Sequence, residues 1–312
     1  MIRCHTLFVL LCSLACAQGE LKTTKSNPNL KARGDTLLKE IVSQKWAAGW
    51  KNTTLDKIRL VAQKPDLAKP TGLPPVWSAI INGPAGKKGH LMWDSSGEGR
   101  LVEFSLDDKL EIKGGVFGLP ALQQFPMKDE KGQLVASGCV PTAAASVVSY
   151  WVTKDYPQWS GEDGTTPKDL ALRLRKKMKM FLFPDTDGFT PNRMPLAGTY
   201  PSELYKALKQ DAQSHGVSMS IGLKRFSFEE LQTEIKASRP ALLSCVVRVA
   251  HQPELSWGHE VAAVGFCQID EVELVGILDN FYPTKYPETI RWIRKDAFSS
   301  IVTLRPALEN QK

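Results

Sequence analysis

Residues 132–151 read GQLVASGCVPTAAASVVSYW. Cys139 heads a run of small and apolar residues, directly after Gly138 and two places before Pro141. Glycine permits a tight turn, and proline fits the first turn of a helix, where its missing N–H costs nothing. The stretch predicts a buried helix from Cys139 to Val152 with the thiol near its N-terminus. The helix dipole there favours thiolate, the nucleophilic form of cysteine. The small side chains behind it let such a helix press closely on a sheet. A small core residue is the alternative use of the same cysteine.

Helix signals continue downstream. One helix follows Thr166-Pro167, with Asp169 in its first turn, and runs to about Phe181. Another covers 201–214. Ser227 with Glu230 makes a capping box for a helix to about Ala237. After Pro240 the pattern changes to strand-like runs rich in Val and Ile: 241–249, 259–267, 271–280 and 289–293. Helices first and antiparallel strands after define an α+β fold. Upstream, residues 35–117 read as a small α+β unit. It has a helix over 35–51 carrying Leu37, Leu38, Ile41, Val42, Trp46 and Trp50. A Pro-rich break at 70–75 precedes a strand at 76–81, a hairpin over 89–106 turning at 95–97, and a third strand in KLEIKGG. GLPALQQFP (118–126) reads as a linker, and the polar residues 18–34 as a flexible lead-in.

The chain has 312 residues and a formal charge of +7, with the apolar content of a folded protein of one large or two modest cores. Its densest basic group is Arg173, Arg175, Lys176, Lys177 and Lys179, read as a solvated helix face. No nucleic-acid motif accompanies it, so no nucleic-acid partner is expected. Residues 1–17 read as a secretory signal peptide, with Arg3, an apolar run over 7–15 and Ala15-Cys16-Ala17 as cleavage site. That predicts export to the periplasm or beyond; cleavage before Cys16, with lipidation there, is the alternative. No later segment is apolar for long enough to span a membrane. Three of six cysteines lie in this leader. Of the rest, Cys245 and Cys267 fall on strands expected to be neighbours, where a disulfide is possible and two free thiols are preferred. No metal-ligand spacing and no phosphate loop is present, so no cofactor is expected.

A cysteine nucleophile needs a base. Beyond the leader the histidines are His90, His215, His251 and His259. His215 precedes Gly216 and reads as a helix cap. His90 opens a hairpin, and His251 lies in a polar loop. Gly258-His259 opens a buried strand, HEVAAVGF, so that His259 can face a cleft from the sheet rim. If 259–267 and 271–280 form a hairpin, Asp279 returns to that rim and can take the Nδ1 proton of His259. Asn280 is the alternative orienting group, and a turn pair ending a strand is the ordinary use of both. Gln133, six residues before Cys139, can join the Cys139 N–H as an oxyanion donor.

The matching stretches, Gln133 with GCVPTAAASVVSYW and then GHEVAAVGF with ILDNF, resemble the papain-like cysteine peptidases. The likeness spans about residues 118–300. It is greatest to the bacterial branch related to the double-glycine leader peptidases of bacteriocin export. The resemblance implies a papain-like domain over 118–305, a helix bundle packed on an antiparallel sheet. It implies Cys139 as nucleophile, His259 as general base, Asp279 as orienter and Gln133 in the oxyanion hole. A peptide or protein substrate and no cofactor follow from it. Val140 stands where that branch has glycine; a β-branched side chain there can crowd the cleft and narrow substrate choice, or mark a relative that has drifted from proteolysis. The 89–106 hairpin is similar to hairpins in streptopain-type propeptides. This implies an inhibitory N-terminal domain, released at 118–126, with a permanent accessory domain as the alternative. The function expected is an exported cysteine peptidase. The alternatives are an inactive module that binds peptide or cell-wall fragments, and a peptidoglycan amidase or acyl transferase using the same residues.

Overall fold

The computed structural model describes residues 28–61, 75–95, 99–106, 115–116, 118–163, 166–183, 195–249, 252–269, 271–281 and 289–307. The expected signal peptide with Cys16, the strand expected in KLEIKGG, the tip of the 89–106 hairpin and His251 lie outside the described residues.

Five α-helices are described: α1 (Pro28–Ser43), α2 (Cys139–Lys154), α3 (Pro167–Lys176), α4 (Pro201–Ser214) and α5 (Phe228–Lys236). The strands of the first half are β1 (Thr54–Val61), β2 (Val76–Asn82), β3 (Lys88–Asp94), β4 (Leu101–Leu106), β5 (Pro126–Lys128) and β6 (Leu134–Ala136). Those of the second half are β7 (Phe181–Phe183), β8 (Leu196–Gly198), β9 (Met219–Arg225), β10 (Ala241–Val249), β11 (Gln252–Ile269), β12 (Val272–Leu278), β13 (Ile290–Arg294) and β14 (Phe298–Pro306). Ten of them form one antiparallel sheet in the order β1-β2-β3-β4-β13-β12-β11-β10-β14-β9. β5–β6 and β7–β8 are separate two-stranded hairpins. The fold is mixed α+β with a large antiparallel sheet.

The period of two along a strand sends successive side chains to opposite faces. On β12, Leu274 enters the core that α1 shares with Trp93, Phe104 and Trp292. Its neighbour Val275 enters the other core, built on α2, α3, α4 and α5. α2 is the axis of that second core. Every residue from Val140 to Trp151 is buried, which the small Ala143, Ala144 and Ala145 make possible by letting other elements close on it. Val140 is 3% exposed and packs within this core.

The sheet does not stop at the boundary expected near 117/118. β4 pairs with β13 through Trp292↔Phe104 and Ile293↔Glu103, so the front strands extend the sheet of the second half. The lead-in read as flexible is also helical from Pro28 on. Gly34 explains the gap in the pattern: a Cβ there would lie 2.8 Å from Leu55 Cδ1 and 3.0 Å from a Trp93 ring carbon, so only glycine lets the helix approach so closely. β1 and β9 escaped the sequence reading because they are the two edges of the sheet, with polar residues on much of their length. β14 escaped it too, although it is central and mostly buried.

The basic cluster on and after α3 is only in part a solvated face: Lys176 and Lys179 are exposed. Arg173 and Arg175 are buried. Arg173 binds Asp211 with Nε at 3.1 Å and Nη2 at 3.0 Å, and Lys177 joins the same carboxylate at 2.8 Å. The fully buried Asp211 needs these cations, which sequence spacing alone did not reveal. No described helix is long and apolar enough to cross a membrane.

Candidate active site

Gly138 leads into α2 with φ +92°. A Cβ at that position would come 3.0 Å from Ala197 O, 3.1 Å from Met180 Cε and 3.4 Å from Arg175 Nη1. Both the backbone angle and the crowding demand glycine. The turn is held from three sides. Arg175 Nη1 donates to Ser137 O at 2.7 Å and to Ala136 O at 3.4 Å. Thr142 Oγ1 donates to Gly138 O at 2.6 Å, so Ser137 Oγ is the donor in its 2.9 Å bond to Thr142 Oγ1. Ser137 Oγ then accepts the Phe125 N–H at 3.1 Å. Cys139, the first helical residue, is half-buried, ahead of the fully buried run from Val140 to Trp151.

His259 reaches it from the sheet. The residue lies within β11, which is longer than expected, and pairs with Cys245 on β10. Its Nε2 is 3.0 Å from Asp279 Oδ1, and Cys139 lies near enough to the ring to help raise its pKa. Nε2 is therefore the nitrogen that faces the carboxylate, not Nδ1 as expected, which leaves Nδ1 for the sulfur. β11 and β12 form the expected hairpin, and Asp279 directly follows β12. Phe281 packs edge-on against the imidazole, with centroids 6.0 Å apart.

The charges follow from these contacts. Burial disfavours the imidazolium, but Asp279 and Cys139 outweigh it and raise the His259 pKa to about 9. Burial also disfavours the Asp279 carboxylate, yet His259, Arg291 and the Phe281 N–H hold its pKa far below the usual range. The arrangement is a protonated imidazole between a carboxylate and a thiol.

Asn280 does not touch His259. Its Nδ2 donates to Cys139 O and to Glu260 O, each at 3.0 Å, tying the start of α2 to β11. Asp279 is thus the one of the two that bonds the imidazole, and Asn280 ties the backbone of Cys139 to that of Glu260. Gln133 is not at the site. It is exposed in the turn of the β5–β6 hairpin, where its N–H donates to Asp129 Oδ1 at 2.8 Å. The β5–β6 pairing turns Gln133 outward, away from the start of α2. The glutamines near the site are Gln123 and Gln124. Gln123 Nε2 donates to Asp279 O at 2.9 Å, and Gln124 Nε2 to Asn280 Oδ1 at 3.3 Å. The Gln-Gln pair in the segment read as a linker was the signal available.

No protein family matches the chain, and no curated protein matches its sequence. Cys139, Cys245 and Cys267 are all free thiols. Cys245 belongs to the helical core and Cys267 packs against the other, so no bond can join them. Burial raises the pKa of both thiols well above the ordinary cysteine value. Among the described residues, no group of three or more His, Cys, Asp or Glu is placed to hold a metal ion.

Glu260, next to the base, makes the fold sensitive to pH. Ser244 Oγ donates to its Oε2 at 2.6 Å, while its buried Oε1 has no partner. Burial lifts its pKa from 4.5 to about 7. A pKa raised by folding contributes stability that is complete below pH 4.5 and lost as pH rises through 7. Glu260→Gln removes this dependence. Relative to wild type, the variant should gain about 3 kcal/mol between pH 4 and pH 8, from the 1.36 kcal/mol carried by each pH unit. Urea denaturation at the two pH values measures it.

Proposed function

We propose that the protein is a papain-like cysteine peptidase hydrolysing amide bonds of peptide substrates. The observation that carries this reading is the imidazole of His259 hydrogen-bonded to the Asp279 carboxylate, with the half-buried Cys139 close enough to perturb it. Such an imidazole can hold the sulfur's proton, and the carboxylate stabilises the charge that results.

In the reaction, Cys139 Sγ attacks the scissile carbonyl carbon, and the carbonyl π electrons move to its oxygen. The Cys139 N–H, without a partner inside its helix at this position, donates to that oxyanion. Gln124 is the side-chain donor assigned here, through the second N–H of its amide. Collapse of the adduct breaks the C–N bond as His259 gives its proton to the leaving nitrogen. Water then attacks the thioester, giving a proton back to His259, and the thiolate departs.

Iodoacetamide labelling tests the reading. Cys139 is expected to alkylate at pH 6 at least about tenfold faster than Cys245 and Cys267, since reactivity follows thiolate character and exposure. Mass spectrometry of the labelled peptides gives each rate. Labelling of Cys139 no faster than a free cysteine in solution would point instead to a binding module with an inert cleft.

A further inference from the structure

The hydrogen bonds of Asp279 do not end at His259. Arg291 on β13 donates from Nη1 to Asp279 Oδ2 at 2.7 Å. The same guanidinium donates to Glu103 from Nε at 2.6 Å and from Nη2 at 2.8 Å, a two-pronged pairing that fixes its plane. Glu103 lies on β4 in the front segment, and its Oε1 also meets His90 Nε2 of β3 at 2.6 Å. Glu103 and Arg291 are 2% and 4% exposed. A continuous chain of hydrogen-bonded side chains therefore joins the front hairpin to His259, the neighbour of Cys139.

We propose that Glu103, acting through Arg291, is a positioning residue of the Cys139–His259–Asp279 site, which makes the front segment a working part of the catalytic unit and not a removable inhibitor. The proposal rests on the reading of Cys139 as nucleophile. Asp279 has one oxygen engaged by His259 and the Phe281 N–H, and the other by Arg291 alone among the bonds described. Arg291 thus sets the carboxylate's rotation, and Glu103 sets Arg291. The charges act in the same direction. Glu103 cancels the guanidinium, so the charge of Asp279 remains available to the imidazolium. Burial pushes the Glu103 carboxyl up, but Arg291 and His90 hold it at about 2, so it keeps its charge over the working range. The groups around His259 are Asp279, Cys139 on α2, Cys245 opposite it on β10, Glu260 beside it on β11, and Arg291 behind Asp279. Removing Glu103 leaves Arg291 uncancelled beside Asp279, which weakens the imidazolium and with it the ion pair.

The test uses the full chain with Glu103→Gln and Glu103→Asp. The second keeps the charge but shortens the reach by one methylene. Iodoacetamide rates at Cys139 are followed from pH 4 to 9, with circular dichroism to establish folding. The upper inflection of the rate profile, where the imidazolium loses its proton, is expected to move down by about one pH unit in the Gln variant, a tenfold change in that ionisation constant, and by less in the Asp variant. A folded Gln variant with the wild-type profile overturns the proposal. So does failure of both variants to fold, which would make Glu103 a stability residue. If wild-type Cys139 itself reacts as an ordinary thiol, the reading of the nucleophile fails and this inference falls with it; a fast wild type with unchanged variants fails the inference alone.

Discussion

Replacing Cys139 with alanine is expected to abolish peptide hydrolysis, by on the order of 10⁴-fold or more, while leaving the fold intact. The size of the loss follows from the chemistry: without the sulfur no covalent intermediate forms, and residues that act as one unit lose nearly everything when one is removed. The fold survives because Cys139 stands at the start of α2, half-buried, and alanine is a good helix former. The change in stability should stay within about 1 kcal/mol. Cys139→Ser is the stricter control, since it keeps the volume and a hydroxyl but not the nucleophilicity of a thiolate. Wild type and both variants, incubated with a mixed peptide library and read by mass spectrometry, make the comparison. Cleavage that persists in the alanine variant would remove Cys139 from the mechanism.

Asp279→Asn is expected to lower kcat by roughly 10²- to 10⁴-fold, although the substitution is nearly isosteric. Each carboxylate oxygen of Asp279 accepts from a donor: Oδ1 from His259 and the Phe281 N–H, Oδ2 from Arg291. An asparagine has one acceptor. Whichever way its amide turns, its NH₂ faces either the imidazole or the guanidinium, donor against donor. A buried unpaired group of this kind costs about 1–3 kcal/mol, and the lost charge adds to that. The pH dependence identifies the cause. His259, raised from 6.5 to about 9, contributes stability that is complete below pH 6.5 and lost as pH rises through 9. Asp279, whose pKa is lowered, contributes stability present above pH 3.8 and lost as pH falls through its folded value. The gap between wild type and variant should therefore be widest between about pH 4 and 6.5 and close towards pH 9 and above. Equilibrium unfolding across that range measures it; a gap independent of pH would mean that the pair carries no charge.

The zymogen expectation and the sheet stand in tension, and the tension has a physical source. A propeptide was suggested by one hairpin whose local pattern is clear, GHLMWDSSGEGRLVEFSL. What that pattern cannot state is which edge the hairpin joins. Backbone pairing between β4 and β13 links residues more than 180 positions apart, and it brings Glu103 to Arg291.

The α2 helix, the start of α3 at Thr166-Pro167, the cap at Ser227 and the 259–280 hairpin were legible in the sequence, because each depends on neighbours a few residues apart, whereas the capping box formed at Thr166 and Asp169 and not at Ser227 and Glu230. Cys139, His259 and Asp279 were legible for the same reason: each sits at a marked place, a helix start, a Gly-His step or the end of an apolar run. The tertiary structure alone decided that Asp279 and not Asn280 meets the imidazole, that Gln133 lies out in a hairpin turn, and that Arg173 and Arg175 are buried. Those outcomes depend on which surfaces meet across the core and on where the β5–β6 hairpin turns. They are set by long-range packing and by the need of buried charges for partners, and local spacing carries no record of either.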